Sequence, residues 1–331
     1  MRLTPTLALL STAVLLNAAP TPPNALLVLS KAELMLKIVD PATFEVVGQV
    51  PSGPDPHEVI ASADGKTAYV SNYGGGTNNT ITVIDLVAQK SLPIIDLGPL
   101  RGPHGLEFAD AKLWFTAEGA KVIGRYDPAV QKVDWVLGTG QNRTHMIYVS
   151  PGLDRIVTSN VSSGTMTIIE KAATTGRGRG PRQDWNETVV KVGNGAEGFD
   201  VSPGGKEIWA ANAGEGTISV IDPATKQVTQ TIDANVKGAN RLKFTLDGKL
   251  AFVSTLSGPD VVVFDVAARR ELKRIPVGRG AAGILMEPGA QRVFVACTPD
   301  NYVVAIDLKT LTMTKRLNAG QPDGLAWAVR P

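Results

Sequence analysis

One short pattern recurs seven times along this 331-residue chain. It is an alternating apolar run that usually ends in an acidic residue and opens a turn, as in TISVID at 217–222. The copies begin at residues 35, 81, 122, 165, 217, 261 and 303. A spacing of roughly 40 to 50 residues suits one four-stranded antiparallel sheet per copy. Because one such sheet cannot bury both of its faces, the copies must pack against one another.

Two further apolar runs precede this pattern in every repeat except the first, which has only one. The second strands begin at residues 26, 68, 113, 155, 207, 251 and 293, and the first strands begin at 57, 104, 145, 197, 240, 282 and 323. The first repeat therefore lacks a first strand, while the last run, DGLAWA, has no repeat after it. That last strand can complete the first sheet and close a ring without an open edge.

These patterns predict an all-β fold, a seven-bladed β-propeller of four-stranded antiparallel blades. The first blade would combine residues 26–52 with residues 322–330. Alternating β and α units are not expected, since no helical periodicity is found.

The N-terminus predicts a secretory signal peptide. Arg2 precedes an apolar run from Leu7 to Leu16, and small residues follow at Ala18 and Ala19. The run is too short to span a bilayer, and no later stretch reaches 18 apolar residues, so no membrane span is expected. We therefore expect residues 1–19 to be a signal peptide and residues 20–331 a single propeller domain, located in the periplasm or secreted.

Composition excludes several classes of function. The net charge is only +2, with lysine and arginine dispersed along the chain, so a nucleic-acid partner is not expected. The single cysteine, Cys297, permits no disulfide within the chain and lies in an apolar strand, where a buried, unreactive thiol is expected. No paired-cysteine motif, nucleophile elbow or dinucleotide fingerprint is present.

The repeat motifs resemble a known family. TAYVSN with ITVID, KEIWAAN with ISVIDPATKQV, and RVFVAC with VVAIDLKT are similar to the YVTN family of β-propeller repeats, over roughly the whole mature chain. The resemblance implies a secreted, periplasmic or surface-layer propeller with seven blades. It implies no single activity, because that family includes surface and binding proteins alongside enzyme relatives with lactonase or lyase activity.

All three histidines of the chain occupy the same position in different repeats. That position is the first residue of the first strand, which should lie at one mouth of the central channel. In ring order its occupants are His57, His104, His145, Glu197, Asn240, Ala282 and Asp323. The repeats specify the fold, so the differences at this one position are the best candidates for function.

Neutral imidazoles that converge from adjacent blades are ligands preferred by first-row metals such as Zn, Cu, Fe or Mn. The sequence therefore predicts a metal site formed by His57, His104, His145 and Glu197. In an enzyme, Glu197 and Asp323 would be the catalytic groups that move a proton. Two alternatives remain open: a metal-free site for a polar ligand, and a purely structural ring that holds ordered water.

Further polar residues should reach the same mouth, because the second strands run back towards it. Tyr73 and Glu118 are placed there by register. The candidate ligand-binding residues are Arg143, Arg241, Asn240, Asn72, Asn160 and Asn212. A guanidinium can hold a carboxylate or phosphate, although a solvated surface arginine is the simpler alternative. An asparagine at the end of a strand also suits a turn without any ligand.

Three functions remain as hypotheses. The first is a binding module that holds a metal ion or a small polar or anionic ligand at the channel mouth. The second is a metal-dependent lyase or hydrolase of the lactonase kind at the same ring. The third is an interaction scaffold that binds a protein partner.

Overall fold

A computed structural model of the protein describes residues 19–174 and 182–331. The signal peptide predicted for residues 1–19 lies outside the described residues except for Ala19, and it stays a prediction. Among the described residues, no helix is long and apolar enough to cross a membrane.

The chain folds into seven four-stranded antiparallel sheets arranged as the blades of a ring, which confirms the predicted seven-bladed β-propeller. Blade one contains β1 (Asn24–Ser30), β2 (Met35–Asp40), β3 (Glu45–Pro51) and the C-terminal β28 (Pro322–Val329). Blade two contains β4 (Pro56–Ala61), β5 (Thr67–Asn72), β6 (Thr80–Asp85) and β7 (Lys90–Asp96). Blade three contains β8 (Pro103–Ala109), β9 (Lys112–Ala117), β10 (Val122–Asp127) and β11 (Lys132–Gly138).

The remaining blades repeat this order. Blade four contains β12 (Thr144–Val149), β13 (Arg155–Asn160), β14 (Thr165–Thr174) and β15 (Arg182–Lys191). Blade five contains β16 (Ala196–Val201), β17 (Ile208–Asn212), β18 (Thr217–Asp222) and β19 (Gln227–Asp233). Blade six contains β20 (Ala239–Phe244), β21 (Leu250–Thr255), β22 (Asp260–Asp265) and β23 (Arg270–Pro276). Blade seven contains β24 (Ala281–Met286), β25 (Arg292–Cys297), β26 (Tyr302–Asp307) and β27 (Thr312–Asn318). Two short 3-10 turns, Gly74–Gly76 and Glu118–Ala120, follow β5 and β9.

The C-terminal strand closes the ring as expected. β28 pairs antiparallel with β1, from Asn24 opposite Val329 to Val28 opposite Leu325. Blade one therefore joins the two ends of the described chain, and every inner strand has a neighbouring blade on each side. The closure removes the open sheet edge that β1 would otherwise present.

The apolar core lies between the blades. In blade two the middle strands β5 and β6 are buried on both faces, because a neighbouring blade covers each face. One interblade cluster includes Trp209 of blade five and Phe244 of blade six. Cys297 is fully buried, and burial raises the pKa of its thiol to about 12, so it is a packed, unreactive side chain.

The acid that ends most third strands organises the next turn. Asp85 accepts hydrogen bonds from the backbone N–H groups of Val87 and Ala88, both at 2.9 Å. Asp222 and Asp307 accept equivalent bonds two residues further along the chain. An aspartate that caps its own turn stabilises the hairpin to the outer strand, which explains why the acid recurs with the repeat.

We expect removal of residues 322–331 to abolish cooperative folding, because β1 would become an exposed edge and blade one would lose its inner strand. Urea unfolding followed by far-UV circular dichroism measures this, with a chain lacking only Pro331 as the control. A truncated chain with an unchanged unfolding midpoint would contradict the closure.

Candidate functional site

A bulge in each inner strand turns the ring residues towards the channel. In blade three the pairing of β8 with β9 shifts between Pro103 and Leu106, so that His104 and Gly105 together oppose the single residue Thr116. The same shift occurs at the corresponding point of the other six blades. A bulge that places two residues against one redirects the side chain of the first.

In blades three and four, the residue opposite the bulge links its blade to the next. The hydroxyl of Thr116 accepts a hydrogen bond from the Gly105 N–H at 2.9 Å and donates one to the His145 carbonyl at 2.7 Å. Ser159 likewise donates to the Glu197 carbonyl at 2.7 Å. The hydroxyl of one blade therefore fixes the backbone of the ring residue in the following blade.

A glycine after the ring residue permits this close approach. A Cβ atom at Gly105 would lie 2.6 Å from the His145 carbonyl oxygen and 2.8 Å from the Met146 Cα. No larger residue fits there without moving the backbone of β12. As a result, the His104 and His145 rings stand with their centroids only 3.8 Å apart.

The structure adds a carboxylate to these two histidines. Each of His104, Glu118 and His145 offers one ligand atom, and the three atoms lie within 4.8 Å of one another. All three side chains are buried. Glu118 begins the 3-10 turn after β9, accepts a hydrogen bond from the Tyr73 hydroxyl at 2.5 Å, and is hydrogen-bonded to His145 Nδ1.

The surroundings keep Glu118 ionised and His104 neutral. Burial alone would raise the pKa of Glu118, but the hydrogen bonds from His145 and Tyr73 and the charge of Arg143 bring it below its ordinary value. Burial, reinforced by the neighbouring His145, lowers the pKa of His104 well below its usual range. An ionised carboxylate and a neutral imidazole are the protonation states that a metal ion requires.

Two buried nitrogen atoms of the cluster have no hydrogen-bond partner within residues 19–174 and 182–331. They are His104 Nδ1 and His145 Nε2. Buried polar atoms are almost always paired, because an unpaired one loses its hydration without compensation. The donor set therefore fits a bound cation: two imidazoles with free acceptor positions beside an ionised carboxylate.

The other two predicted metal ligands lie at the borders of the cluster. The His57 ring is 5.1 Å from the His104 ring between centroids, and the Lys31 ammonium lies 3.0 Å from His57 Nδ1. Burial lowers the pKa of His57, against the opposing charge of Asp323. Glu197 Oε1 lies 3.6 Å from His145 Nε2.

Asp323 lies on the side of the ring next to His57. Its carboxylate is 3.3 Å from the Lys31 ammonium. Burial raises the pKa of Asp323, with Lys31 and His57 opposing the effect. Asp323 is therefore a carboxyl with a raised pKa that lines the cavity and contacts Lys31.

The two predicted arginines occupy different depths. The Arg241 guanidinium is buried, pairs with Glu58 of blade two, and donates to the Asn240 carbonyl at 3.1 Å, so that this ion pair crosses the channel. Burial tends to lower the pKa of Arg241, but Glu58 and Asp323 raise it overall. Arg143 instead stands at the rim, with 44% of its side chain exposed and its Nε 3.5 Å from Glu118.

A cavity of about 450 Å³ at this mouth is lined by all seven ring residues, together with Lys31, Tyr73, Arg143 and Arg241. Asn240 reaches it and donates to Glu197 at 3.2 Å.

The structure places the other three predicted asparagines inside their blades, where each donates to two hydroxyl groups of the third strand. Asn72 bonds Thr80 and Thr82, Asn160 bonds Thr165 and Thr167, and Asn212 bonds Thr217 and Ser219.

The sequence placed Glu118 at this mouth but did not identify it as the partner of His145. The glutamate lies outside the repeating strands, in a turn that differs from blade to blade, so the repeat carries no signal for it. Its contact with His145 depends on the 3-10 turn, whose following residue Lys121 is in the left-handed conformation.

A second polar cluster lies three positions further along the inner strands. It contains Glu107, Tyr148, Asp200 and Lys243, and Lys243 is 3.4 Å from Asp200. Burial raises the pKa of Glu107 to about 7, although Lys243 opposes the effect.

Comparison with known proteins identifies the fold and no family. No family model matches the chain, and no curated protein matches it. A functionally unknown protein from Desulfotomaculum acetoxidans is similar in structure, with a TM-score of 0.73 and 14% identity over 92% of this chain and 99% of that one. A candidate 6-phosphogluconolactonase from Bacteroides fragilis has a TM-score of 0.72 and 15% identity over 93% of this chain and 99% of its own. A second candidate 6-phosphogluconolactonase, from Bacteroides uniformis, has a TM-score of 0.70 and 13% identity over 92% of this chain and 100% of its own. At these identities the likeness shows the propeller fold alone.

We expect the partly buried carboxyl of Glu107 to make the protein less stable as the pH rises from about 5 to about 8. Its pKa is higher in the folded chain than in the unfolded one, so the folded chain binds more protons over this range. Glu107→Gln should remove that part of the pH dependence in urea unfolding. The control is Glu45→Gln, at an exposed position, and an unchanged slope in the Glu107 variant would contradict the assignment.

Proposed function

We propose that this protein binds a divalent first-row metal ion, such as Zn, Cu, Fe or Mn, at one mouth of its propeller channel. The supporting observation is the buried His104, Glu118 and His145 cluster with its two unpaired nitrogens. Imidazole nitrogens with carboxylates beside them, here Glu118 and Glu197, are the kinds of donor that these metals favour.

A purely structural ring explains the cluster less well. Each unpaired buried nitrogen costs about 1–3 kcal/mol of stability. The two rings that carry these nitrogens are in contact, with their centroids 3.8 Å apart. A cation between them would satisfy both atoms. It would also balance the ionised Glu118 and, at the border, Glu197.

The cavity above the cluster suits a small polar or anionic ligand. Its volume of about 450 Å³ lies within the range of small-molecule sites. Arg143 at the rim and Arg241 at depth can donate to a carboxylate or phosphate, and the Asn240 amide lies beside them. A bound metal ion would add a Lewis acid to this set of donors.

A second candidate function is metal-dependent hydrolysis or lyase chemistry at the same site. Asp323 favours it, because a largely enclosed carboxyl with a raised pKa can accept and transfer a proton. Two structurally similar proteins bear the name of a candidate 6-phosphogluconolactonase, which suggests lactones as test substrates. The third hypothesis, a scaffold for a protein partner, makes no use of the buried cluster.

The proposal includes export from the cytoplasm and kinship with YVTN-type repeat proteins. The apolar run near the N-terminus supports export to the periplasm or beyond. The repeated TAYVSN and ISVID motifs support the kinship.

We expect protein purified without an affinity tag to contain about one first-row metal ion per chain. His104→Ala should weaken Zn²⁺ binding by roughly 100-fold or more, since it removes a ligand, whereas His57→Ala should weaken it less. Elemental analysis and competition with a chromogenic chelator measure these values. Wild-type protein without metal, and without a thermal shift on adding Zn²⁺, Cu²⁺, Fe²⁺ or Mn²⁺, would reject the proposal.

For the enzymatic alternative, a panel of lactones and sugar acids should reveal turnover by the metal-loaded protein. Asp323→Asn should then lower kcat by roughly 10²- to 10⁴-fold, because the general acid or base is lost while the metal is retained. Arg143→Ala should mainly raise KM for anionic substrates. Wild-type kcat in the Asp323 variant would remove Asp323 from the chemistry.

A further inference from the structure

Both oxygen atoms of the Glu118 carboxylate already have partners. Oε1 is hydrogen-bonded to His145 Nδ1, and Oε2 accepts the Tyr73 hydroxyl at 2.5 Å. The phenol is the donor in this bond, since a carboxylate oxygen paired with a hydroxyl accepts. The space between Glu118 and His145 Nδ1 is therefore occupied by a hydrogen bond and has no room for an ion.

The same hydrogen bond decides which nitrogen of His145 is free. Glu118 accepts from Tyr73 with one carboxylate oxygen and offers the other to His145, so His145 Nδ1 carries the hydrogen. In the neutral ring, Nε2 then holds the lone pair. This atom is buried and has no hydrogen-bond partner among the described residues.

His145 Nε2 faces a second acceptor instead of a donor. Glu197 Oε1 lies 3.6 Å away, and its position is held by the amide of Asn240 at 3.2 Å. Two acceptor atoms that converge in this way would both be satisfied by one cation bound between them. Two ligand atoms of one tetrahedral ion, each bonded at about 2.0–2.2 Å, stand about 3.4 Å apart.

His104 can supply a third ligand from the adjacent blade. Its ring packs against that of His145, and its buried Nδ1 is unpaired within the described residues. His57 is less suited, because the Lys31 ammonium contacts its ring and a nearby positive charge opposes a cation. Two imidazoles and one carboxylate then leave further positions open towards the cavity.

We propose that the metal ion is held by His104, His145 Nε2 and Glu197, while Glu118 and Tyr73 form the outer layer that orients His145. This inference rests on the proposed metal-binding function and specifies its ligands. Glu118 is thus a positioning residue. A carboxylate that fixes the tautomer of a ligating histidine also raises the basicity of that histidine.

The test compares Zn²⁺ affinity and stoichiometry among four variants of the full chain by chelator competition. Glu118→Gln keeps an acceptor for His145 Nδ1 and should bind one ion about 10- to 100-fold more weakly than wild type, as for an outer-layer partner. Glu118→Ala should bind more weakly still, because it lacks that acceptor. Glu197→Gln should lose more affinity than Glu118→Gln. The matched control is Glu215→Gln, an exposed glutamate in the corresponding turn of blade five, which should bind as wild type.

The outcomes separate this inference from the proposed function. If wild-type protein binds no metal, the proposed function fails, and the ligand assignment fails with it. If wild type binds but both Glu118 variants lose the ion equally while Glu197→Gln retains wild-type affinity, only the ligand assignment is overturned.

A measurement on wild-type protein avoids dependence on how well the variants fold. The chain has only three histidines, so ¹⁵N-histidine labelling gives a small set of ring signals. In the Zn²⁺-loaded protein we expect His145 to keep hydrogen on Nδ1 and to show the metal-induced shift on Nε2. Metal on His145 Nδ1 would overturn the assignment.

Discussion

The site depends on how closely the inner strands of blades three and four approach each other. Gly105 has no Cβ, and the Thr116 hydroxyl spans the gap to the His145 carbonyl, so the two backbones are held in near contact. This places the imidazoles of His104 and His145 at stacking distance. A side chain at position 105 would separate the blades locally, and the two rings could no longer share an ion.

The burial of the site then determines the protonation states of its side chains, together with their hydrogen bonds. Desolvation keeps His104 neutral, while two hydrogen bonds and a nearby arginine keep Glu118 ionised in the same buried cluster. Opposite protonation preferences within a few ångströms are characteristic of functional sites. The ion pair between Arg241 and Glu58 crosses the channel beside this cluster, so that the cavity is bounded by charged groups on its inner side as well as at its rim.

Much of the fold, and part of the site, could be predicted from the amino-acid sequence. Seven copies of one pattern, a missing first strand and an extra last strand were sufficient for the ring and its closure, because hydrophobic periodicity and sheet edges leave few alternatives. Alignment of the copies also placed His104 and His145 at the same position of the repeat, the first residue of the first strand. The asparagines at positions 72, 160 and 212 show what strand alignment cannot predict. The alignment located them near the mouth, but it did not show that their amides donate to hydroxyl groups of their own blades.

The sequence by itself determined the seven-bladed architecture and the ring of residues at one channel mouth, since both follow from a repeat that each blade obeys. Only the tertiary structure decided which of those residues meet. Glu118 contacts His145 from a turn outside the repeat. His57 contacts Lys31, which also pairs with Asp323. Spacing along the chain determines to which blade a side chain belongs, whereas hydrogen bonds and packing between blades determine which atoms come into contact.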